Sequence, residues 1–254
     1  MYKNLHFNTV LAEYQYSLHL GDIVAGCIFA EEKKGFLVDV GSKHLAYLPK
    51  NEVSINKYKL TKPHINYTRE FFLLGYNKKS TQLIISIKRL EYIRAWQRIK
   101  QIKQEDIILE LHIHKINKGG LLTYIEGLKG FIPNSHIIDR KIKHTFLNQK
   151  IPCQFLALHN QTNQILFSHR RALLQQSSKF LYIGQITLGK IKKITKYGIF
   201  VEIRDFLALL HISELEKTID NGLSLFEINQ IIKVQIIHID TKQGRISVSR
   251  RNIH

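Results

Sequence analysis

Three aromatic rings and five cations in the last third of this 254-residue chain have the types and spacing that hold an unpaired nucleic-acid strand. Tyr197 and Phe200 stand on either side of Gly198, and His211 closes the apolar run that follows. Lys190, Lys192, Lys193 and Lys196 gather just upstream, and Arg245 comes back on the final hairpin. Flat aromatic faces stack on unpaired bases, while cations beside them meet phosphates. Arginine can do both. Strand alternation in KYGIFVEI puts Ile199, Val201 and Ile203 on one side and Phe200 and Glu202 on the other. Phe200 is therefore expected to face outward, beside a charge. The competing reading gives Tyr197, Phe200 and His211 only minor packing roles, and their exposure decides between the two.

Other chemistries find less support. Carboxylates are scattered singly, and pairs such as Glu31–Glu32 fall in turns, so the clustered acids that metal-dependent catalysis needs are not expected. The chain is read as a binder with no catalytic residues. His112 and His114 share a strand face, but no Cys or carboxylate stands at ligand spacing beside them. They are expected to be solvent-facing strand residues, with no metal, cofactor or small-molecule substrate. Cys27 and Cys153 lie singly in apolar runs and are expected to be reduced core residues.

The elements that must position these side chains repeat at about eighty residues. A β-branched strand opens each repeat: GDIVAGCIF from Gly21, ILELHIHKI from Ile108 and GQITLGKIKKI from Gly184. A glycine turn and a second strand follow in KKGFLVDVG, KGGLLTYIEG and KYGIFVEI. A third short strand then runs into a cap in AYLPKNEV, GFIPNSHI and ALLHISEL, and a polar stretch leads to a closing hairpin. Five short alternating strands are too few for a two-sheet sandwich but can close on themselves. The fold expected is all-β: three tandem five-stranded oligonucleotide-binding (OB-fold) barrels joined by short helical linkers. The boundaries expected are an N-terminal helix over 1–19, a first barrel over 20–90, a linker helix over 91–105, a second barrel over 106–171, a linker over 172–181 and a third barrel over 182–251. Phe7, Val10, Leu11 and Tyr14 carry the first helix. Leu90, Ile93, Trp96, Ile99 and Ile102 form the buried stripe of the linker helix, leaving Arg94, Arg98 and Lys100 solvated.

Composition limits the partner. Lys and Arg number 38 against 20 Asp and Glu, an excess of +18. It divides as +9 over residues 1–104, +5 over 105–180 and +4 over 181–254, so every module is basic. A field spread in this way suits a long polyanion rather than a single acidic patch. No apolar stretch approaches the ~18 residues of a membrane span, and no signal or transit segment is expected at the start. Heavy use of Ile, Lys and Asn points to an AT-biased genome such as an organelle's.

The run KITKYGIFVEI, then LLHISEL, then IIHIDTKQGRISVSRR closely resembles the RNA-binding module of the bacterial small-subunit ribosomal protein S-one family, a module shared with polynucleotide phosphorylase and some endoribonucleases. NKGGLLTYIEGLKGFIPNSHI with ILFSHRRAL, and IKRLEYIRAWQRIKQIKQED, resemble the second module and first interdomain helix of the cyanobacterial and plastid versions. The resemblance implies RNA contacts at Tyr197, Phe200, His211 and Arg245, with Asp240 as a polar neighbour. Lys242 and Gln243 lengthen the turn before Arg245. In the first module Lys34, Leu37 and Pro49 replace the three rings, and in the second Gly119, Leu122 and Pro133 do. The resemblance implies a constituent of the small ribosomal subunit that binds single-stranded mRNA and aids translation, in a plastid and encoded there, or else in a bacterial cytoplasm. Modules one and two are then expected to dock mainly on the ribosome, and residues 181–254 to bind RNA alone. The residues by themselves leave open a free RNA-binding regulator or chaperone, or an accessory subunit of an RNA-processing enzyme.

Overall fold

A computed structural model describes residues 18–42, 44–55, 64–77, 82–138, 141–159, 161–177, 180–215, 225–251 and 253. The helix expected from Phe7, Val10, Leu11 and Tyr14 lies outside the described residues. The alternating apolar runs become three closed barrels of five strands each. The first contains β1 (Ile23–Glu31), β2 (Gly35–Asp39), β3 (Ala46–Pro49), β4 (Thr68–Asn77) and β5 (Gln82–Ser86). The second contains β6 (Leu109–Asn117), β7 (Gly120–Ile125), β8 (Leu128–Pro133), β9 (Lys150–His159) and β10 (Gln164–Ser168). The third contains β11 (Ile186–Thr195), β12 (Gly198–Ile203), β13 (Phe206–His211), β14 (Ile231–Asp240) and β15 (Arg245–Ser249).

In each barrel the third strand pairs with the fifth in parallel and the fourth returns to the first, which is the OB-type order. Inward positions carry Ile, Val, Leu and Phe. In the third barrel Ile191, Ile199, Val201, Leu210, Val234 and Val248 are all fully buried. So few strands close only if they coil strongly, and bulges supply the bend. The first strand of each barrel breaks register at the same place, between Ile28 and Ala30, Ile113 and Lys115, and Ile191 and Lys193.

Two helices follow the closing strands without a gap, α1 (Ile87–Glu105) and α2 (His169–Gln176). Serines at the strand ends start them. Ser86 Oγ accepts from Arg89 N at 2.8 Å and Ser168 Oγ from Arg171 N at 3.1 Å, each meeting a first-turn N–H that has no helical partner. Buried residues of α1 are Ile87, Leu90, Ala95, Trp96 and Ile99. Ile93 and Ile102 from the expected stripe are only half-buried, because the apolar spacing drifts around the helix and Ala95 turns inward instead. Arg94 is exposed as expected but pairs with Glu70, and Glu91 accepts from Ile55 N at 3.1 Å. No described helix is long and apolar enough to cross a membrane.

Barrel one with most of α1 forms one compact unit, and barrels two and three form another. Inside the second unit, Leu174 of α2 and Leu181 join the third barrel's core, and Ile138 and Leu173 pack against it. The reading of the cysteines needs one correction. Both thiols are free, and Cys153 is buried as expected, but Cys27 is half-exposed. In β1 the inward parity belongs to Val24, Gly26 and Ile28, which turns Cys27 to the outside.

Candidate nucleic-acid interface

The outer face of the third barrel is built by alternation. With Ile199, Val201 and Ile203 filling the interior, Phe200 and Glu202 point outward, as Leu207, Leu209 and His211 do on β13. Gly198 permits the arrangement. A Cβ at this position would sit 2.3 Å from Leu210 O, so only glycine lets β12 start against the end of β13. Gly198 then faces His211 in the ladder, and Ile212 N donates to Tyr197 O at 3.1 Å, which fixes the turn beside the histidine. Tyr197 is 53% exposed, and its ring stands edge-on to Phe200 with centroids 6.2 Å apart at 87°.

His211 is exposed and anchored. Its Nδ1 accepts from Ser213 N at 3.2 Å, with Ser213 Oγ 2.8 Å away. With Nδ1 occupied as an acceptor, the neutral ring carries its proton on Nε2, which remains able to donate. The bulge in β11 places Lys193 opposite Phe200, so a cation flanks the ring. Lys190 and Lys196 are exposed nearby, whereas Lys192 pairs with Glu202 at 2.8 Å.

The structure thus brings Tyr197, Phe200, His211 and Lys193 together and sets Arg245 apart. β15 runs parallel to β13 with Ala208 opposite Ile246 and Leu209 opposite Ser247, so Arg245 lies level with Leu207. Four residues of strand separate that level from His211, about 13 Å along the same outer face. Asp240 Oδ1 accepts from Gln243 N at 2.9 Å, so this carboxylate holds the lengthened turn. In barrel one, Gly35 faces Pro49 as Gly198 faces His211, and Leu37 takes the outward slot of Phe200.

Three charged or titratable groups that the sequence reading passed over meet where barrel two joins barrel three. Arg170 Nη2 donates to Leu207 O, directly beside Arg245. Arg171 is 8% exposed, forks onto both Asp106 oxygens at 2.9 and 3.0 Å, and donates to Phe155 O and Thr241 O. His136 Nδ1 lies 3.0 Å from Ser168 Oγ. Burial, followed by the charge of Arg245, lowers the pKa of Arg170; burial, then Arg170, Arg245 and Arg171, lowers that of His136. The available signal was the Arg-Arg pair one residue after the strand-ending Ser168. Of His112 and His114, read as solvent-facing strand residues, His114 is exposed but His112 is half-buried with its Nδ1 out of solvent. Their rings lie 4.6 Å apart, tilted by 54°, and His114 meets Tyr124 at 5.1 Å. Among the described residues no group of three or more His, Cys, Asp or Glu could hold a metal ion.

Known proteins are similar in sequence to the third module and to nearly the whole chain. The family model described as the S1 RNA binding domain matches residues 181–251. The small ribosomal subunit protein bS1c of Pyropia yezoensis is 47% identical over 251 residues, covering 98% of this chain and 95% of that protein. The protein of the same name from Porphyra purpurea is 46% identical with the same coverage. The small ribosomal subunit protein bS1A of Synechocystis is 41% identical over 97% of this chain and 76% of that protein.

Proposed function

Because the chain belongs to the small ribosomal subunit protein bS1 family, we propose that it serves in the small ribosomal subunit and holds single-stranded mRNA on its third barrel during translation. The observation that carries the reading is the outer face of the barrel that the RNA-binding model matches, where Tyr197 and His211 are exposed and Phe200 points outward half-buried. The edge-on rings leave faces free for bases, each worth about 1–3 kcal/mol of stacking with little regard to sequence. Lys193, Lys190 and Lys196 add phosphate contacts that weaken as salt rises. Barrels one and two, with Leu37 and Leu122 where Phe200 stands, meet ribosomal protein and rRNA.

The mechanism is capture. Stacking and counterion release break no covalent bond, and the reading assigns the chain no catalytic step. Labelled RNA incubated with the protein and magnesium should stay full length. The relatives' bS1c names support a place on plastid ribosomes, and the Ile-, Lys- and Asn-rich composition supports a gene in the organelle itself.

Anisotropy of a labelled single-stranded oligonucleotide tests the reading on the full chain. Phe200→Ala or His211→Ala should weaken binding at every salt concentration, and the wild type should co-sediment with small subunits. Wild-type affinity in both variants would remove the platform, and failure to travel with subunits would remove the ribosome.

A further inference from the structure

We infer that RNA crossing the third barrel is also gripped by barrel two, through a phosphate-binding site that Arg170 and His136 build with Arg245 at the junction. The inference rests on the reading of the third barrel as an RNA platform and extends it to a module without stacking rings of its own.

The site is assembled by backbone contacts. The β14–β15 turn packs on the first turn of α2 so closely that a Cβ at Gly244 would lie 3.2 Å from Arg171 N and 3.3 Å from Arg170 Cγ. Arg171 Nε donates to Thr241 O of the same turn at 3.0 Å. Arg245, the next residue after Gly244, is held beside Arg170, whose Nη2 is fixed on Leu207 O at the same level of the sheet. One donor is used there, and a guanidinium has five. His136 approaches from the cap of barrel two. Ser168 Oγ accepts from Arg171 N and lies 3.0 Å from His136 Nδ1; with its proton on that bond, the neutral ring keeps an N–H donor at Nε2.

Among the described residues no carboxylate pairs with Arg170 or Arg245. Asp106 is committed to Arg171, and Asp240, although it faces Arg245 across the β14–β15 ladder, turns Oδ1 to Gln243 N and forms no ion pair with that arginine. Like charges packed together are unfavourable; burial is the larger cause of the lowered pKa of Arg170 and His136, and the neighbouring arginines add to it. An anion relieves the repulsion. A phosphodiester suits the planar guanidinium fork, and the outer face leads to it: the strand that stacks on Tyr197 and Phe200 runs on to Arg245, about 13 Å from the level of His211. The third barrel's platform is then incomplete without barrel two.

The test uses the full chain and an oligouridine of about 12 nucleotides, within the range an OB fold accommodates. Arg170→Gln keeps an N–H donor for Leu207 O and removes the charge. Losing one phosphate contact should flatten the slope of log K against log salt by about 0.7, which means about fivefold weaker binding at about 0.1 M salt. Phe200→Ala should weaken binding with the slope unchanged, so a failed platform and a failed junction site give different results. An unaltered slope in Arg170→Gln, with Arg245→Ala flattening it, would confine the contact to barrel three and overturn the inference. So would unaltered RNA binding with weakened subunit association, which would make the cluster a docking point for protein. Should the variant fold poorly, wild-type protein crosslinked to 4-thiouridine RNA should label peptides containing 134–136 or 169–176, and their absence refutes the site.

Discussion

Replacing Arg171 by alanine should loosen the unit formed by barrels two and three more than any single change on its surface. The side chain is 8% exposed and joins three places: Asp106 ahead of β6, Phe155 on β9 and Thr241 in the last hairpin of barrel three. The two bonds to carbonyls are charge-assisted, about 1.5 kcal/mol each at the low end of their range. The fork to Asp106 adds less, about 1 kcal/mol, because that carboxylate is 52% exposed and water screens it. The sum, about 4 kcal/mol, lies within the range for removing one partner of a buried charged network. For a unit of this size it corresponds to a fall of about 8–16 °C in melting temperature. Calorimetry of the full chain reads it directly. Asp106→Asn, which tolerates the positive φ at this position and removes only the charge of the screened fork, should shift the same transition by only about a quarter as much. Arg171→Ala melting within about 2 °C of wild type, or Asp106→Asn proving equally damaging, would refute this account.

Acid should weaken the same unit. Burial lowers the pKa of His169 and His136 below 6.5, so both rings stay neutral in the fold while the unfolded chain takes up protons. Stability is then full above about pH 6.5 and declines as pH falls through the lowered values, and melting temperatures between about pH 7.5 and pH 5.5 check this. A thiol reagent near pH 8 should label half-exposed Cys27 in the native protein and Cys153 only after denaturation, because burial removes Cys153 from solvent and pushes its pKa up. Gly198→Ala should cost about 3 kcal/mol by urea unfolding and weaken RNA binding, since its Cβ would meet Leu210 O at 2.3 Å and separate Tyr197 from Phe200.

The three barrels were legible because their signals are local: a glycine before each second strand, β-branched alternation, and polar turns at recurring distances. The outward parity of Phe200 followed from the same alternation, and so did the slots taken by Leu37 and Leu122. The parallel pairing of β13 with β15 left no local trace, yet it decides that Arg245 stands level with Leu207 rather than beside His211. The bulge that frees Lys192 to pair with Glu202 was hidden for a similar reason, since one extra residue reverses the parity beyond it. Arg170 and Arg171 read only as the end of the second barrel, with no role, because their partners Leu207 and Thr241 lie in another repeat, and Asp106 lies far back in their own.

Closure of each sheet through its third and fifth strands has a consequence for how such a chain diversifies. The interior and the paired backbone groups determine whether a copy folds, and the outward residues of β12 and β13 contribute little to that decision. After duplication, one copy can exchange its rings for leucine and proline and drift toward a new contact while its sister keeps the ancestral surface, and neither unfolds on the way. Specialisation among tandem copies is in this sense inexpensive: selection can act on the exteriors separately, because the scaffold beneath them does not depend on what they carry.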